Sequence, residues 1–118
     1  MAASVPQTVQ SCHDLLLWVM PQLDKFPRSR RFTLGERLEA GLIEVLELLV
    51  EAAYTRNKES PLRRANLRLE VVRHLWRLAH ELKAIATRQY EHGAKLIDEL
   101  GRQVGGWLRS TGQSPPSG

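Results

Sequence analysis

Apolar residues recur every three or four positions in four segments of the chain, which is the spacing of one face of an α-helix. The strongest pattern runs from Leu34 to about Thr55, and the next runs from Pro61 to about Lys83. The first segment, from about Cys12 to Lys25, contains Pro21, which we expect to kink or divide it. The last extends from about Thr87 to Ser110. No segment alternates like a strand, so the pattern predicts an all-α, antiparallel four-helix bundle.

The two ends of the chain lack this periodicity. Residues 1–10 contain Pro6 and predict a disordered leader, with Ser11 as the N-cap of the first helix. Residues 111–118 are rich in Pro, Ser and Gly and predict a disordered tail. Residues 11–110 are therefore expected to form one domain, since 118 residues suffice for one core but not for two.

The second helix carries more apolar surface than one neighbour in a small bundle requires. Its main row comprises Leu38, Leu42, Val45, Leu49 and Ala52. Ile43, Leu46 and Val50 make a second apolar row beside it. We therefore predict that Ile43, Leu46 and Val50 form the interface of a homo-oligomer.

A cationic segment, residues 25–36, separates the first two helices. Its positive charges are Lys25, Arg28, Arg30 and Arg31. Pro27 predicts the end of the first helix, and Thr33 with Glu36 has the spacing of a capping box that starts the next. Phe26 and Phe32 flank the arginines and are expected to be buried. Such clustered charge favours an anionic partner, and a solvated loop with weak surface ion pairs is the alternative.

The third and fourth helices add further candidate cations. The third helix contains few acids near its arginines, so these are expected to be available for external contacts. On the fourth helix, basic residues recur every seven positions. Two of them, Lys95 and Arg102, lie four residues after Glu91 and Asp98, which is the spacing of an ion pair within one helix. The predicted residues for binding nucleic acid or another partner are Arg28, Arg30, Arg31, Arg63, Arg73, Arg77, Arg88 and Arg109.

Composition and motifs limit the kinds of partner and activity that we expect for this protein. The formal net charge of +4 and the pI near 9.7 are compatible with nucleic acid or an acidic protein as partner, and require neither. The histidines lack metal-ligand spacing, and no nucleophile has an identifiable base, so we expect no metal, no cofactor and no enzymatic activity. The single Cys12 and the lack of a long uncharged apolar stretch favour a cytoplasmic protein without membrane contact. Because Cys12 lies at the predicted start of a helix, Cys12→Ser is expected to cost less than ~1 kcal/mol.

Three segments together resemble the accessory variability determinant (Avd) family, the four-helix accessory proteins of diversity-generating retroelements. The segments are Phe26-Pro27-Arg28-Ser29-Arg30-Arg31-Phe32-Thr33-Leu34-Gly35, Arg64-Ala65-Asn66-Leu67 and Glu99-Leu100-Gly101-Arg102-Gln103-Val104-Gly105-Gly106-Trp107. The similarity spans about Leu15 to Arg109. The four-helix proteins encoded by 23S rRNA intervening sequences are similar too.

The Avd resemblance implies a homopentameric barrel with a basic surface. It further implies binding to a reverse transcriptase and to RNA or DNA, which supports mutagenic retrohoming without catalytic activity of the protein itself. The intervening-sequence resemblance implies instead a structural homo-oligomer with no role in nucleic-acid binding. A reverse transcriptase and a template repeat in neighbouring genes would favour the first interpretation.

Overall fold

The computed structural model describes residues 6–112. They form four long helices, α1 (Gln7–Asp24), α2 (Glu36–Tyr54), α3 (Glu59–Glu81) and α4 (Thr87–Gly112), and this range contains no strand. The predicted helical class is confirmed. The outer helices extend past the predicted limits, into residues 7–10 and 111–112. The rest of the predicted leader and tail lies outside the described residues.

The first helix begins directly after Pro6 rather than at Ser11. The carbonyl of Pro6 accepts hydrogen bonds from the N–H groups of Val9 and Gln10, at 3.0 and 3.2 Å. Val9 is buried in the core, so apolar contact also holds this first turn in place. Pro21 lies inside α1, and the helix continues through it to Asp24. The prediction that Ser11 caps α1 is therefore wrong.

The connection between α1 and α2 is helical. A short turn at Arg28–Arg30 leads into a π-helical turn at Arg31–Gly35, which continues directly into α2. Pro27 precedes this segment, and its carbonyl accepts hydrogen bonds from the N–H groups of Arg30 and Arg31. Because the helix already starts at Pro27, Thr33 lies inside it, and the predicted capping box at Thr33 is wrong.

The four helices close a ring of contacts around one core. Both α1 and α3 pack against α2 and α4. Glu51, late in α2, pairs with Arg64, early in α3, at 3.7 Å, and the earlier Glu44 pairs with the later Arg68 at 3.1 Å. This order shows that α2 and α3 are antiparallel. The predicted main row of α2 is entirely buried, as is the corresponding row of α3. The buried row of α3 comprises Leu62, Ala65, Leu69, Val72, Trp76 and Ala79.

Helix α3 ends in a Schellman motif. The N–H of Ala84 bonds the carbonyl of Ala79 at 2.8 Å, and the N–H of Lys83 bonds that of His80 at 2.9 Å. Lys83 has a φ of 62°, a left-handed conformation that glycine adopts most readily. The chain thereby reverses direction and places the start of α4 beside the end of α3.

Trp76 anchors the α3–α4 contact. It is the largest fully buried side chain, and its indole N–H donates a 2.9 Å hydrogen bond to the carbonyl of Tyr90. The ring lies against Gly93, where a Cβ atom would come within 2.6 Å of the Cε2 atom of Trp76. A glycine at this position of α4 therefore allows the two helices to approach closely.

The single cysteine lies in the core. Cys12 has no exposed surface, and burial raises the pKa of its thiol to about 12. The premise that Cys12 lies at a helix end is wrong, because α1 starts five residues earlier, at Gln7. Cys12→Ser would place a hydroxyl group among apolar side chains, at a cost of roughly 1–3 kcal/mol if it stays unpaired.

We expect the Cys12 thiol to resist iodoacetamide at pH 8 in the native protein and to react readily in guanidinium chloride. Only the thiolate reacts, and burial both hides the sulfur and suppresses the thiolate. Because the folded-state pKa lies above the unfolded value of 9.0, the associated stability is present below pH 9 and is lost as the pH rises toward about 12. Mass spectrometry of the alkylated chain checks this. Rapid native alkylation at pH 8 would contradict it.

Candidate nucleic-acid interface

The cationic segment between α1 and α2 is only partly available. Arg31 donates to the Asp24 carboxylate at 3.0 Å, so one charge of this segment is paired. Arg28 is exposed, Arg30 is half-buried, and neither forms an ion pair within residues 6–112. Lys25 is exposed and also forms no ion pair within residues 6–112, so three cations of this segment remain for an external anion.

The two phenylalanines of this segment differ in burial. Phe26 is buried as predicted, whereas the prediction for Phe32 is wrong, because 60% of its surface is exposed. The π-helical turn carries an extra residue per turn, which directs Leu34 into the core and leaves Phe32 outside. The guanidinium of Arg31 lies 5.8 Å from the centre of the Phe32 ring.

The predicted arginines of α3 are all paired, contrary to the expectation that acids would be scarce there. Arg63 bonds Glu59 at 2.6 Å, and Arg77 bonds Glu81 at 3.0 Å. Arg73 is held by two acids, Glu70 on its own helix and Asp98 on α4. Arg73 therefore links α3 to α4. The two other arginines would have to leave a carboxylate to bind a phosphate.

The basic row of α4 is the best exposed set of cations. Its members, which we call the α4 stripe, are Arg88, Lys95, Arg102 and Arg109. All are exposed, and none forms an ion pair in the described part of the chain. On an ideal helix, seven-residue spacing keeps them within an arc of roughly 60° and along roughly 30 Å of helix axis. Ile97, Leu100 and Val104 are buried on the opposite face, so the stripe points away from the core.

The predicted pairs within α4 do not form between residues 6 and 112. Asp98 bonds Arg73 across the helix interface instead of Arg102, and Glu91 forms no ion pair with Lys95. Sequence reasoning therefore missed Lys95 and Arg102 as available cations. Their seven-residue recurrence was a usable signal, whereas the capture of Asp98 by another helix was not visible in the sequence.

Aromatic rings connect the core to this same face of α4. The Trp76 and Trp18 rings meet edge to face, with centroids 6.1 Å apart, and the Trp18 and His92 rings lie 4.7 Å apart. Burial decreases along this series: Trp76 is buried, Trp18 is half-buried and His92 is exposed. His92 follows Arg88 by four residues and precedes Lys95 by three, so all three share one face of α4.

The largest group of exposed apolar side chains lies along α3 and its C-cap residue. Ile43 and Leu46 of the predicted interface are half-buried against the core, and only Val50 is exposed, by 39%. A longer row on the outer face of α3 is more exposed, and we call it the α3 apolar row. It comprises Leu67, Val71, Leu78 and Leu82. Leu78 and Leu82 also line a groove that reaches Phe32.

Two further features bear on the class of protein. No helix in the range 6–112 is long and apolar enough to cross a membrane. Within the same range, no three His, Cys, Asp or Glu side chains are grouped so that they would hold a metal ion.

Together, these features define a small four-helix protein with an outward row of cations on one helix and an exposed apolar row on another. A model of the bAvd-like family matches residues 7–111, and the chain belongs to that family. No curated protein matches the chain.

Proposed function

We propose that this chain is a non-catalytic accessory protein of a diversity-generating retroelement that binds the phosphate backbone of RNA or DNA. The observation that carries the proposal is the α4 stripe, a set of exposed cations without acidic partners among the described residues. Membership of the bAvd-like family supports the accessory role.

The α4 stripe suits a phosphate backbone because its charges are collinear and point into solvent. Cations that neutralise phosphates release condensed counterions, which supplies affinity without reading the base sequence. We therefore expect binding to be insensitive to sequence and sensitive to salt.

Arg28 and Arg30 extend the proposed contact surface beyond α4. Both lack an acidic partner within residues 6–112. The paired Arg31, Arg63, Arg73 and Arg77 remain predicted contacts of lower rank, since each already bonds a carboxylate. Arg73 is the weakest candidate, because it also bridges two helices.

We further propose that the protein is cytoplasmic and forms a homo-oligomer, a pentamer in line with the Avd resemblance, which partners a reverse transcriptase. The α3 apolar row supports self-association, because an isolated bundle would leave it in water. In the assembly each phosphate-binding surface would be repeated around an axis, which raises affinity by avidity. This row, rather than Ile43 and Leu46, is the larger apolar surface left uncovered in one chain.

The same apolar row favours a second candidate function, a structural homo-oligomer of the 23S rRNA intervening-sequence type. In that case the protein would assemble but would not bind nucleic acid. A reverse transcriptase gene and a template repeat beside the gene for this chain would favour the accessory role.

Light scattering is expected to give a mass near 67 kDa at micromolar concentration, five times the 13.4 kDa of one chain. Leu67→Gln changes the most exposed member of the α3 apolar row and should lower this mass, because it puts a polar amide at the proposed interface. Leu17→Gln is the matched control, since Leu17 is 65% exposed on α1, outside that row. A monodisperse 13.4 kDa species for the unmodified protein would contradict self-association.

A further inference from the structure

The series of rings that starts at Trp76 ends at the solvent, on the face that carries the α4 stripe. Trp76 is held in the core by its hydrogen bond to the carbonyl of Tyr90, and the Trp18 ring rests against it. Trp18 in turn contacts the ring of His92, which is exposed. The His92 ring therefore rests in tilted contact on Trp18, with 58° between the two ring planes, and the residue is exposed to solvent.

Cations flank this exposed ring on both sides along the helix. Arg88 lies one turn before His92 and Lys95 lies one turn after it, and both are exposed without an acidic partner in the described residues. Neighbours three and four residues apart on a helix have Cβ atoms roughly 5–6 Å apart. A phosphate on either side of His92 would therefore leave the intervening base beside the imidazole ring.

We propose that His92, supported by Trp18, is a stacking site for a nucleobase, so that the α4 stripe prefers single-stranded RNA or DNA over duplex. The inference rests on the proposed function and specifies its ligand. In a duplex the bases are already stacked and paired, and their faces are closed to a side chain. In a single strand every base offers a π-face, so the contact adds affinity without a sequence preference.

Two features favour a nucleobase over an acidic peptide as the occupant of this site. A peptide carboxylate would be satisfied by Arg88 and Lys95 alone and would gain nothing from the aromatic ring. A nucleotide carries both a planar aromatic group and an anion, and it therefore matches both parts of the site.

The test compares His92→Ala and His92→Phe in binding a 12-nucleotide single strand, the matching duplex and an abasic strand of equal length. We expect His92→Ala to weaken single-strand binding roughly 5- to 100-fold, as the loss of one base–aromatic stack does, and His92→Phe to retain it. Duplex and abasic-strand binding should not change with either substitution. The slope of log K against log salt should stay the same, because His92→Ala removes a stack and no lysine or arginine charge.

His74→Ala is the matched control, because His74 is an exposed histidine on α3 that is not one of the contacting rings Trp76, Trp18 and His92. It should leave all three affinities unchanged. Circular dichroism melting of each variant identifies any loss of folding. If His92→Ala unfolds, His92→Phe still tests whether an aromatic ring at this position is sufficient for single-strand binding.

The outcomes separate this inference from the proposed function. If the unmodified protein binds none of the strands, the proposed function fails. If it binds all of them and His92→Ala weakens them equally, or weakens none, phosphate binding stands and the stacking site is wrong. If a poly-glutamate peptide competes as well against His92→Ala as against the unmodified protein and the single-strand preference is missing, the site is an acidic-peptide site.

Discussion

Gly93→Ala should lower the midpoint of thermal unfolding by roughly 4–24 °C, because the new methyl group would overlap the Trp76 ring. A Cβ atom at this position lies 2.6 Å from Cε2 and 2.8 Å from Nε1 of Trp76. The indole cannot move away freely, because its N–H bonds the carbonyl of Tyr90 and its edge meets Trp18. Overpacking a core usually costs about 1–3 kcal/mol, and each kcal/mol shifts the midpoint of a domain this size by roughly 4–8 °C.

Gly106→Ala is the matched control, a glycine in the same helix with room for a methyl group. There the nearest side-chain atom to an added Cβ is the Arg109 Nη2, at 3.8 Å. Alanine should raise the free energy of unfolding by up to about 1 kcal/mol through its higher helix propensity, and the melting temperature should rise with it. Circular dichroism at 222 nm measures both. Equal stabilisation by the two substitutions would show that Gly93 is not needed for the α3–α4 contact.

The sequence was sufficient to predict the helices and their buried faces. In α2, positions such as Leu38, Leu42 and Val45 follow the helical period, and burial follows the same period because one face must leave water. The row of α3 that includes Trp76 has the same period and is buried too. Helix starts were less predictable, since Pro6 and Pro27 begin helices where Ser11 and Thr33 were expected to do so.

The side-chain pairing at the candidate interface could not be read from local spacing. Asp98 has Arg102 four residues later, yet it bonds Arg73, because the packing of α3 against α4 brings that guanidinium closer. Arg63 and Arg77 were expected to be free and are paired with Glu59 and Glu81. Which cations remain available depends on the rotation of each helix about its axis, and this rotation is a property of the whole core.

The exposure of Phe32 and the half-buried position of Trp18 escaped prediction for a similar reason. Phe32 and Trp18 have large apolar side chains of the kind that usually pack in a core, and their spacing places them close to buried helix faces. The π-helical turn moves Phe32 outward, and Trp18 lies at the edge of the buried face of α1, where it meets α4. Neither effect is encoded in the spacing of apolar residues alone.

Arg88→Gln with Arg102→Gln should weaken binding to an unrelated duplex on the order of 10- to 100-fold at 0.1 M salt. Each neutralised duplex phosphate contributes about 0.9 to the slope of log K against log salt, so two lost contacts have a large effect at this ionic strength. Both side chains are exposed and form no ion pair within residues 6–112, and their removal should leave the bundle folded. Unrelated duplexes should be affected alike, because no base is read.

The salt dependence of duplex binding tests the role of the α4 stripe most directly, when measured by fluorescence anisotropy for three proteins of known mass. The unmodified chain is compared with Arg88→Gln/Arg102→Gln and with Arg63→Gln/Arg77→Gln, which removes the same charge from ion-paired positions on α3. The α4 variant should flatten the slope by about 1.8 for each protomer in contact, and the α3 variant should leave it nearly unchanged. Equal flattening by both variants, or flattening by the α3 variant alone, would contradict a phosphate-binding stripe on α4.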